Sequence, residues 1–203
     1  MNSRTGVMRV TGGMLAGRRL HAPQGETTRP TAARAREGLF GWLGSSVDAA
    51  RVLDLFAGTG ALGIEALSRG AAHALFVERD RAALAALRRN LETLQIGAQT
   101  AVLATDVVRA ASQLVSQGRR FDLVLMDPPY ARVLPDLAKR VQLVGLLDRE
   151  ALLVIERRTR GQDASSSAQE IDGLVHVGSR SYGQTAFDCY ERASREEEEP
   201  EDE

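Results

Sequence analysis

The chain has 203 residues, 43% of them hydrophobic, which is enough for one well-filled domain with a small extension but too few for two full domains. Its single cysteine, Cys189, excludes an intrachain disulfide, and no group of Cys and His residues has the spacing of a zinc site. No apolar run reaches the roughly 20 residues of a membrane-spanning helix, so we expect a cytoplasmic protein that holds no metal and contacts no membrane.

The net charge of −1 conceals a separation of charge along the chain. The final stretch EEEEPEDE carries seven of the 27 acidic residues, which leaves 20 acidic against 26 basic residues elsewhere. Residues 1–40 contain only two acidic residues but seven arginines: Arg4, Arg9, Arg18, Arg19, Arg29, Arg34 and Arg36. Such a segment is typical of contact with a phosphate backbone, and the acidic tail, residues 193–203, is expected to be disordered.

Residues 1–45 are predicted to form a basic extension made of a hairpin and a helix. Strand-like pieces around Val10 and Leu20 flank a glycine-containing turn, which is the pattern of a hairpin. Residues 32–43 carry apolar side chains at helical spacing, and Thr31 is the candidate helix cap.

From residue 46 to residue 192, short apolar runs alternate with amphipathic stretches. Strands are predicted for RVLDLF, HALFVE, TAVLA, FDLVLM and ALLVIE. Helices are predicted for ALGIEALSRG and RAALAALRRNLETL, and near residues 108–117 and 133–143. This alternation predicts an α/β fold with a mostly parallel sheet covered on both faces, and LVHVGSRSYGQTAFDCYE adds an antiparallel hairpin at one edge.

A glycine-rich loop follows the first predicted strand. In DLFAGTGALG, residues Gly58, Gly60 and Gly63 satisfy the pattern G-x-G-x-x-G, and Glu78 ends the second predicted strand 20 residues after Gly58. The glycines let the backbone approach a ligand, and the carboxylate can accept hydrogen bonds from ribose hydroxyls. The loop therefore predicts a nucleoside-containing cofactor, but it does not choose between a dinucleotide and another nucleoside.

Two further carboxylates and the motif DPPY narrow that choice. Asp54 lies within the first predicted strand, where its charge disfavours a pyrophosphate but suits the amino group of an amino-acid moiety. Asp106 follows the third strand and can accept a hydrogen bond from an adenine amino group. Pro128 and Pro129 cannot donate ladder hydrogen bonds, so the chain leaves the sheet there as a stiff loop. All three features lie at the carboxyl ends of strands, where ligands bind in an open sheet.

With DLFAGTG and DPPY in this order, the sequence resembles the class I S-adenosylmethionine-dependent methyltransferases, which have a Rossmann-like fold. It is more closely similar to the bacterial 16S ribosomal RNA guanine-N2 methyltransferase family, which modifies the guanine conventionally numbered 966. The segments that carry this resemblance are MRVTGGMLAGRRL, TRPTAARAREGLF, DLFAGTGALGIEALSRGA, DLVLMDPPY and YGQTAFDCYE. The acidic tail, the loop near Ser165 and the arginine-rich composition depart from the family pattern.

The resemblance implies a Rossmann-like methyltransferase domain with a seven-stranded sheet, acting as a monomer on 16S rRNA within an assembled or partly assembled small subunit. The residues alone do not show whether free RNA suffices. It implies S-adenosylmethionine contacts from Asp54, Phe56, Ala57, Gly58, Thr59, Gly60, Glu78, Arg79, Asp106 and Val107. It places the catalytic residues in the DPPY motif: Asp127, Pro128, Pro129 and Tyr130. RNA contacts are implied for Arg9, Arg18, Arg19, Arg29, Thr31, Arg34 and Arg36.

Three other functions stay open on the residues alone. A DNA adenine-N6 or cytosine-N4 methyltransferase also uses DPPY, and only a substrate assay separates it from an RNA enzyme. A nicotinamide-dependent oxidoreductase shares the glycine pattern but leaves DPPY unexplained. An RNA-binding assembly factor could keep the fold without affinity for a cofactor.

Overall fold

The computed structural model describes residues 8–23, 30–128, 137–139, 141–158 and 168–193, and all structural statements below concern these residues. The N-terminal part forms the predicted hairpin. The Val10 amide donates to the Arg18 carbonyl at 3.0 Å, and the Leu20 amide donates to the Met8 carbonyl at 2.9 Å. The first helix, α1 (Pro30–Leu43), begins two residues earlier than predicted. Thr31 was expected to cap it but lies inside it, because proline is favoured at the first helical position.

Seven strands form one sheet in the order β3-β2-β1-β4-β5-β7-β6. Their bounds are β1 Arg51–Leu55, β2 His73–Glu78, β3 Thr100–Ala104, β4 Phe121–Met126, β5 Leu147–Arg158, β6 Leu174–Tyr182 and β7 Thr185–Arg192. Strands β1 to β5 pair in parallel, while β7 runs antiparallel to both β5 and β6. The predicted mostly parallel sheet with an antiparallel hairpin at its edge is therefore confirmed.

The other helices are α2 (Ala61–Ser68), α3 (Arg81–Leu94), α4 (Val107–Ser116) and the single turn α5 (Leu143–Leu146). The helix predicted near residues 133–143 falls partly outside the described residues. Its described end is not continuous, because Gln142 has a left-handed backbone with φ of 51° just before α5. Among the described helices, none has the length and apolarity that crossing a bilayer would need.

The sheet separates two apolar layers. One contains the hairpin with α1, α2 and α3, including the fully buried Leu39, Ile64 and Leu87. The other contains α4 and α5, including Leu114 and Leu146. Because successive strand residues point to opposite faces, both layers bury residues of β1. The hairpin and α1 thus share an apolar core with the parallel sheet.

Candidate active site at the carboxyl edge of the sheet

The glycine loop after β1 turns through left-handed backbone at Phe56, Gly58 and Gly60, with φ of 62°, 55° and 82°. At Gly60 an added Cβ would collide with the Leu87 side chain, so this position requires glycine for both its φ and its packing. At Gly58 an added Cβ would meet no atom within 4 Å. The backbone at Gly58 therefore borders open space, as expected where a ligand approaches the chain.

Glu78 connects this loop to the end of β2. One oxygen of its carboxylate accepts from the Gly58 amide at 2.8 Å, and the other accepts from the Arg79 and Asp80 amides at 2.7 and 2.8 Å. A carboxylate offers about four lone-pair sites, so three bonds leave capacity for one more donor. A ribose hydroxyl is a suitable donor for that remaining site.

A recess of about 250 Å³ opens beside Glu78 at the carboxyl edge of the sheet. It brings together predicted cofactor and catalytic residues from four different strand ends. Its lining consists of Phe56, Val77, Glu78, Arg79, Asp80, Thr105, Asp106, Val107 and Asp127. Ligand sites usually have about 300–1,000 Å³, so the recess is slightly smaller than a typical site.

The remaining predicted cofactor residues do not line this recess. Ala57 and Thr59 are buried, and the Thr59 carbonyl accepts a hydrogen bond from the Asn90 side chain at 3.0 Å. A larger cavity of about 1100 Å³ lies elsewhere, between α5 and residues 168–176, and no predicted site residue lines it. The chemistry-bearing residues therefore point to the smaller recess.

Asp106 and Arg79 form one wall of the recess. One Asp106 oxygen caps α4 by accepting from the Val108 amide at 2.9 Å, and the other lies 3.1 Å from the Arg79 guanidinium. The Arg79 and Asp106 side chains are 74% and 47% exposed, so this ion pair contributes little to stability and can open for a ligand.

Asp54 lies behind the glycine loop and is only 2% exposed. Its carboxyl accepts from the Gly63 amide at 2.9 Å. Burial raises its pKa to about 7, the charges of Asp127 and Glu78 raise it as well, and the Gly63 hydrogen bond opposes the rise. A cation placed beside Asp54 would shift it to the ionised form.

Asp127 follows β4 at the mouth of the recess. Asp127 as a whole is exposed, although protein atoms surround most of its carboxyl group. This partial burial raises the pKa of Asp127 to about 6, and the positive charge of Arg158 opposes the rise. Pro128 is buried next to it. Pro129 and Tyr130, the other two predicted catalytic residues, lie outside the described residues.

Glu156 is a carboxylate beside Asp127 that the sequence analysis did not single out. Met126 of β4 pairs with Ile155 of β5, so Asp127 and Glu156 occupy the next positions on neighbouring parallel strands. Burial raises the pKa of Glu156 to about 8, and the charge of Asp127 adds to this effect. The available signal was a carboxylate near the end of a predicted buried strand, as at Asp54 and Glu78.

The arginines predicted to contact RNA occupy two different environments. Arg9, Arg18, Arg19 and Arg34 are exposed. Arg36 is only 6% exposed, and its Nε lies 3.2 Å from a carboxylate oxygen of Glu65. The prediction that Arg36 contacts RNA is wrong, because its guanidinium is paired in the interior. Arg29 and the Thr31 side chain lie outside the described residues.

Glu65 of α2 fixes the hairpin to the parallel sheet. Its fully buried carboxylate accepts from the Thr11 amide and hydroxyl at 2.8 and 2.6 Å, and from the Gly12 amide at 2.8 Å. Arg69 donates to it at 2.9 Å, in addition to Arg36. Burial alone would raise the pKa of Glu65, but the Thr11 and Arg69 hydrogen bonds and the charge of Arg36 lower it overall. The hairpin is thus attached to the helix that directly follows the glycine loop.

Comparisons with known proteins agree with this architecture. The profile of the protein family described as "conserved hypothetical protein 95" matches residues 8–191. "Putative rRNA methyltransferase YlbH" of Bacillus subtilis is 36% identical over 187 residues, which are 91% of this chain and 99% of that protein. "Ribosomal RNA small subunit methyltransferase D" of Escherichia coli K12 is 41% identical over 156 residues, covering 76% and 77% of the two chains.

A solved structure extends the likeness to three dimensions. The "putative methyltransferase yhhF" from Escherichia coli superposes with a TM-score of 0.76 at 34% identity and covers 94% of this chain and 100% of its own. The fold of this chain is therefore a Rossmann-like methyltransferase fold. The chain belongs to the family described as conserved hypothetical protein 95.

Proposed function

We propose that this protein is an S-adenosylmethionine-dependent ribosomal RNA methyltransferase that methylates the exocyclic N2 amine of a guanine in 16S rRNA of the small subunit. The observation that carries the proposal is the position of Asp127, which lines the recess together with Glu78 and Asp106. The relatives named for ribosomal RNA methylation support rRNA as the substrate. The guanine-N2 position rests on the resemblance of the motifs.

The cofactor is S-adenosylmethionine, which supplies an electrophilic methyl group on a positively charged sulfur. Glu78 has acceptor capacity for a ribose hydroxyl, and Asp106 and Val107 form the wall expected to face the adenine. Asp54 is a buried carboxyl that a nearby ammonium group would ionise. The open space at Gly58 completes a set of residues that fits an amino-acid nucleoside.

Asp127 prepares the amine for methyl transfer. The lone pair of a guanine exocyclic amine is delocalised into the ring, so the amine is a poor nucleophile and must be oriented. The Asp127 carboxylate and the Pro128 carbonyl can each accept one N–H of that amine, which fixes the nitrogen in place. Acceptors aimed at the positive charge that develops on the nitrogen stabilise the transition state more than the ground state.

The two neighbouring carboxyls divide the proton between them. Burial raises the pKa of Glu156 to about 8 and that of Asp127 to about 6, and the charge of Asp127 adds to the rise at Glu156. Because the two carboxyls titrate as a pair, they share one proton near neutrality. The acceptor role of Asp127 rests on its place in the lining of the recess.

The substrate base must also reach the recess. A guanine that is stacked or paired has to be extruded, which costs a few kcal/mol. Contacts between phosphates and the exposed arginines of the hairpin would offset that cost. Tyr130 remains the residue predicted to stack on the extruded base, a contribution of roughly 1–3 kcal/mol in nucleic-acid systems.

Replacing Asp127 tests the proposal. Asp127→Ala should abolish transfer of labelled methyl groups to small-subunit RNA while leaving cofactor affinity within about tenfold, because the carboxyl acts on the amine. The control is Asp172→Ala, which removes an exposed carboxyl far from the recess. Near-normal turnover by Asp127→Ala would refute the assigned role.

A further inference from the structure

The hairpin packs directly against one side of α3. The His21 amide donates to the Asn90 side chain at 2.6 Å, and that side chain donates back to the His21 carbonyl at 3.1 Å. Arg18 reaches further along the helix and donates to the Thr93 carbonyl at 3.0 Å. Asn90 is fully buried by these contacts. The hairpin and this side of α3 therefore form one continuous surface.

Arg89 lies on that same side of α3. It directly precedes Asn90 and stands one helical turn before Thr93, and residues four apart share a helix face. Its side chain is exposed, and within the described residues it forms no ion pair. Arg89 thus stands beside the two anchoring contacts of the hairpin, with its charge directed to solvent.

Arg88 provides an internal comparison. It is also exposed, but it is rotated by about 100° around the helix axis from Arg89. Glu92 lies four residues after Arg88 and three after Arg89, so it is a helix neighbour of both arginines. Arg89, unlike Arg88, shares its helix face with Thr93, whose carbonyl accepts from Arg18.

This surface also reaches the cofactor loop. Asn90, which holds His21, donates to the Thr59 carbonyl in the glycine loop at 3.0 Å. Met8 at the start of the hairpin lies 3.6 Å from the Thr59 hydroxyl. The surface that carries these arginines is therefore attached to the glycine loop.

We propose that Arg89 of α3 extends the arginine surface of the hairpin, and that Arg9, Arg18, Arg19 and Arg89 together hold the phosphate backbone of the RNA substrate. The proposal rests on the proposed function, since it requires an RNA substrate, and it names the part of the parallel-sheet domain that takes part in binding. Four guanidinium groups on mutually attached elements suit the spaced, fixed charges of a phosphate backbone.

The test compares Arg89→Ala with Arg88→Ala in the full chain, by fluorescence anisotropy with a labelled 16S rRNA fragment over a series of salt concentrations. Arg89→Ala should weaken binding by about three- to tenfold and reduce the slope of log K against log salt by about 1. Arg88→Ala should stay within about twofold of the unsubstituted protein. Equal losses in both variants, or unchanged binding by Arg89→Ala, would overturn the proposal.

Two further measurements separate this inference from the proposed function. In Arg89→Ala, KM for RNA should rise by a larger factor than kcat falls, because the residue is proposed to hold the RNA and not a reacting atom. The unsubstituted protein is assayed for methylated guanine in parallel. If Arg89→Ala binds the fragment more weakly than Arg88→Ala, as expected, but the unsubstituted protein methylates no guanine, the RNA-binding surface is supported and the proposed reaction is refuted.

Discussion

Asp127 and Glu156 follow directly after the paired residues Met126 and Ile155 on two parallel strands, so the two carboxylates are neighbours, and Asp127 lines the recess at the carboxyl edge of the sheet. Within the described part of the chain, neither carboxyl has a hydrogen-bond or ion-pair partner. Unpaired, partly buried carboxyls are costly to ionise, and two adjacent ones oppose each other's ionisation. Their arrangement is therefore better explained by a ligand than by the fold.

Removing Asp127 should change how Glu156 titrates. In Asp127→Asn, the pKa of Glu156 should fall from about 8, because the neighbouring negative charge that raises it has gone. Burial, the larger cause, remains, so the pKa should stay above the ordinary range of a glutamate. Carboxyl carbon chemical shifts followed by NMR over a pH series would measure this. Glu150→Gln, an exposed change at the other end of β5, should leave the titration as it is, and an unchanged value in Asp127→Asn would refute the coupling.

Cofactor affinity should depend on pH through Asp54. Its pKa is about 7 when no cofactor is bound, so at lower pH the carboxyl is neutral and offers no counter-charge to the amino group of the cofactor. Affinity for S-adenosylhomocysteine should therefore rise with pH towards neutrality and level off above about pH 7, by at most tenfold per pH unit.

Asp54→Asn keeps the acceptor for the Gly63 amide but cannot ionise. Isothermal titration calorimetry between pH 5.5 and 8 should show a flat affinity in this variant, at the weak level of the unsubstituted protein at low pH. A pH dependence equal in both proteins would exclude Asp54 as its source.

Loss of the Glu65 carboxylate should destabilise the whole protein. Glu65→Gln leaves the guanidinium of Arg36 buried without its counter-charge, and breaking a buried pair in this way costs about 3–5 kcal/mol. Urea unfolding would give the change in the free energy of unfolding. The control Glu92→Gln alters an exposed carboxylate of α3 and should change it by less than about 0.5 kcal/mol.

The ionisation of Glu65 should also make the stability of the protein depend on pH in acid. Because folding lowers the pKa of Glu65, its contribution to stability is present at neutral pH and is lost as the pH falls through the folded-state value. The difference in unfolding free energy between the unsubstituted protein and Glu65→Gln should therefore shrink in acid. A constant difference would mean that Glu65 does not stabilise the fold as an anion.

Most of the fold could be predicted because its determinants are local. The alternation of apolar runs with amphipathic stretches located every strand of the parallel sheet. Glycine spacing and Glu78 predicted a ligand-binding loop, and the structure shows the Gly58 amide bonded to the Glu78 carboxylate. Sequence patterns do not report where a helix turn is interrupted, so the left-handed Gln142 was missed. The division of the chain at residues 45 and 46 remains a prediction about domains, and the acidic tail lies outside the described residues apart from Ala193.

The two errors in the candidate site arise from tertiary partners. Arg36 and Arg34 look alike in the sequence, yet Arg36 shares a helix face with the buried Phe40 and meets Glu65, which is 29 residues away. In the sequence, Glu156 only marks the end of a predicted strand. Its position beside Asp127 depends on the register of β5 against β4. Neither a partner nor a register can be read from local spacing.

The identity of the methylated nucleoside decides whether the proposed reaction takes place. Labelled S-adenosylmethionine would be supplied with unmethylated small subunits, free 16S rRNA and DNA in parallel, and each product would be digested and separated by chromatography. We expect label in 16S rRNA, in the assembled or the free form, as N2-methylguanosine. Label only in DNA, or in rRNA as a methylated adenine or cytosine, would contradict the account.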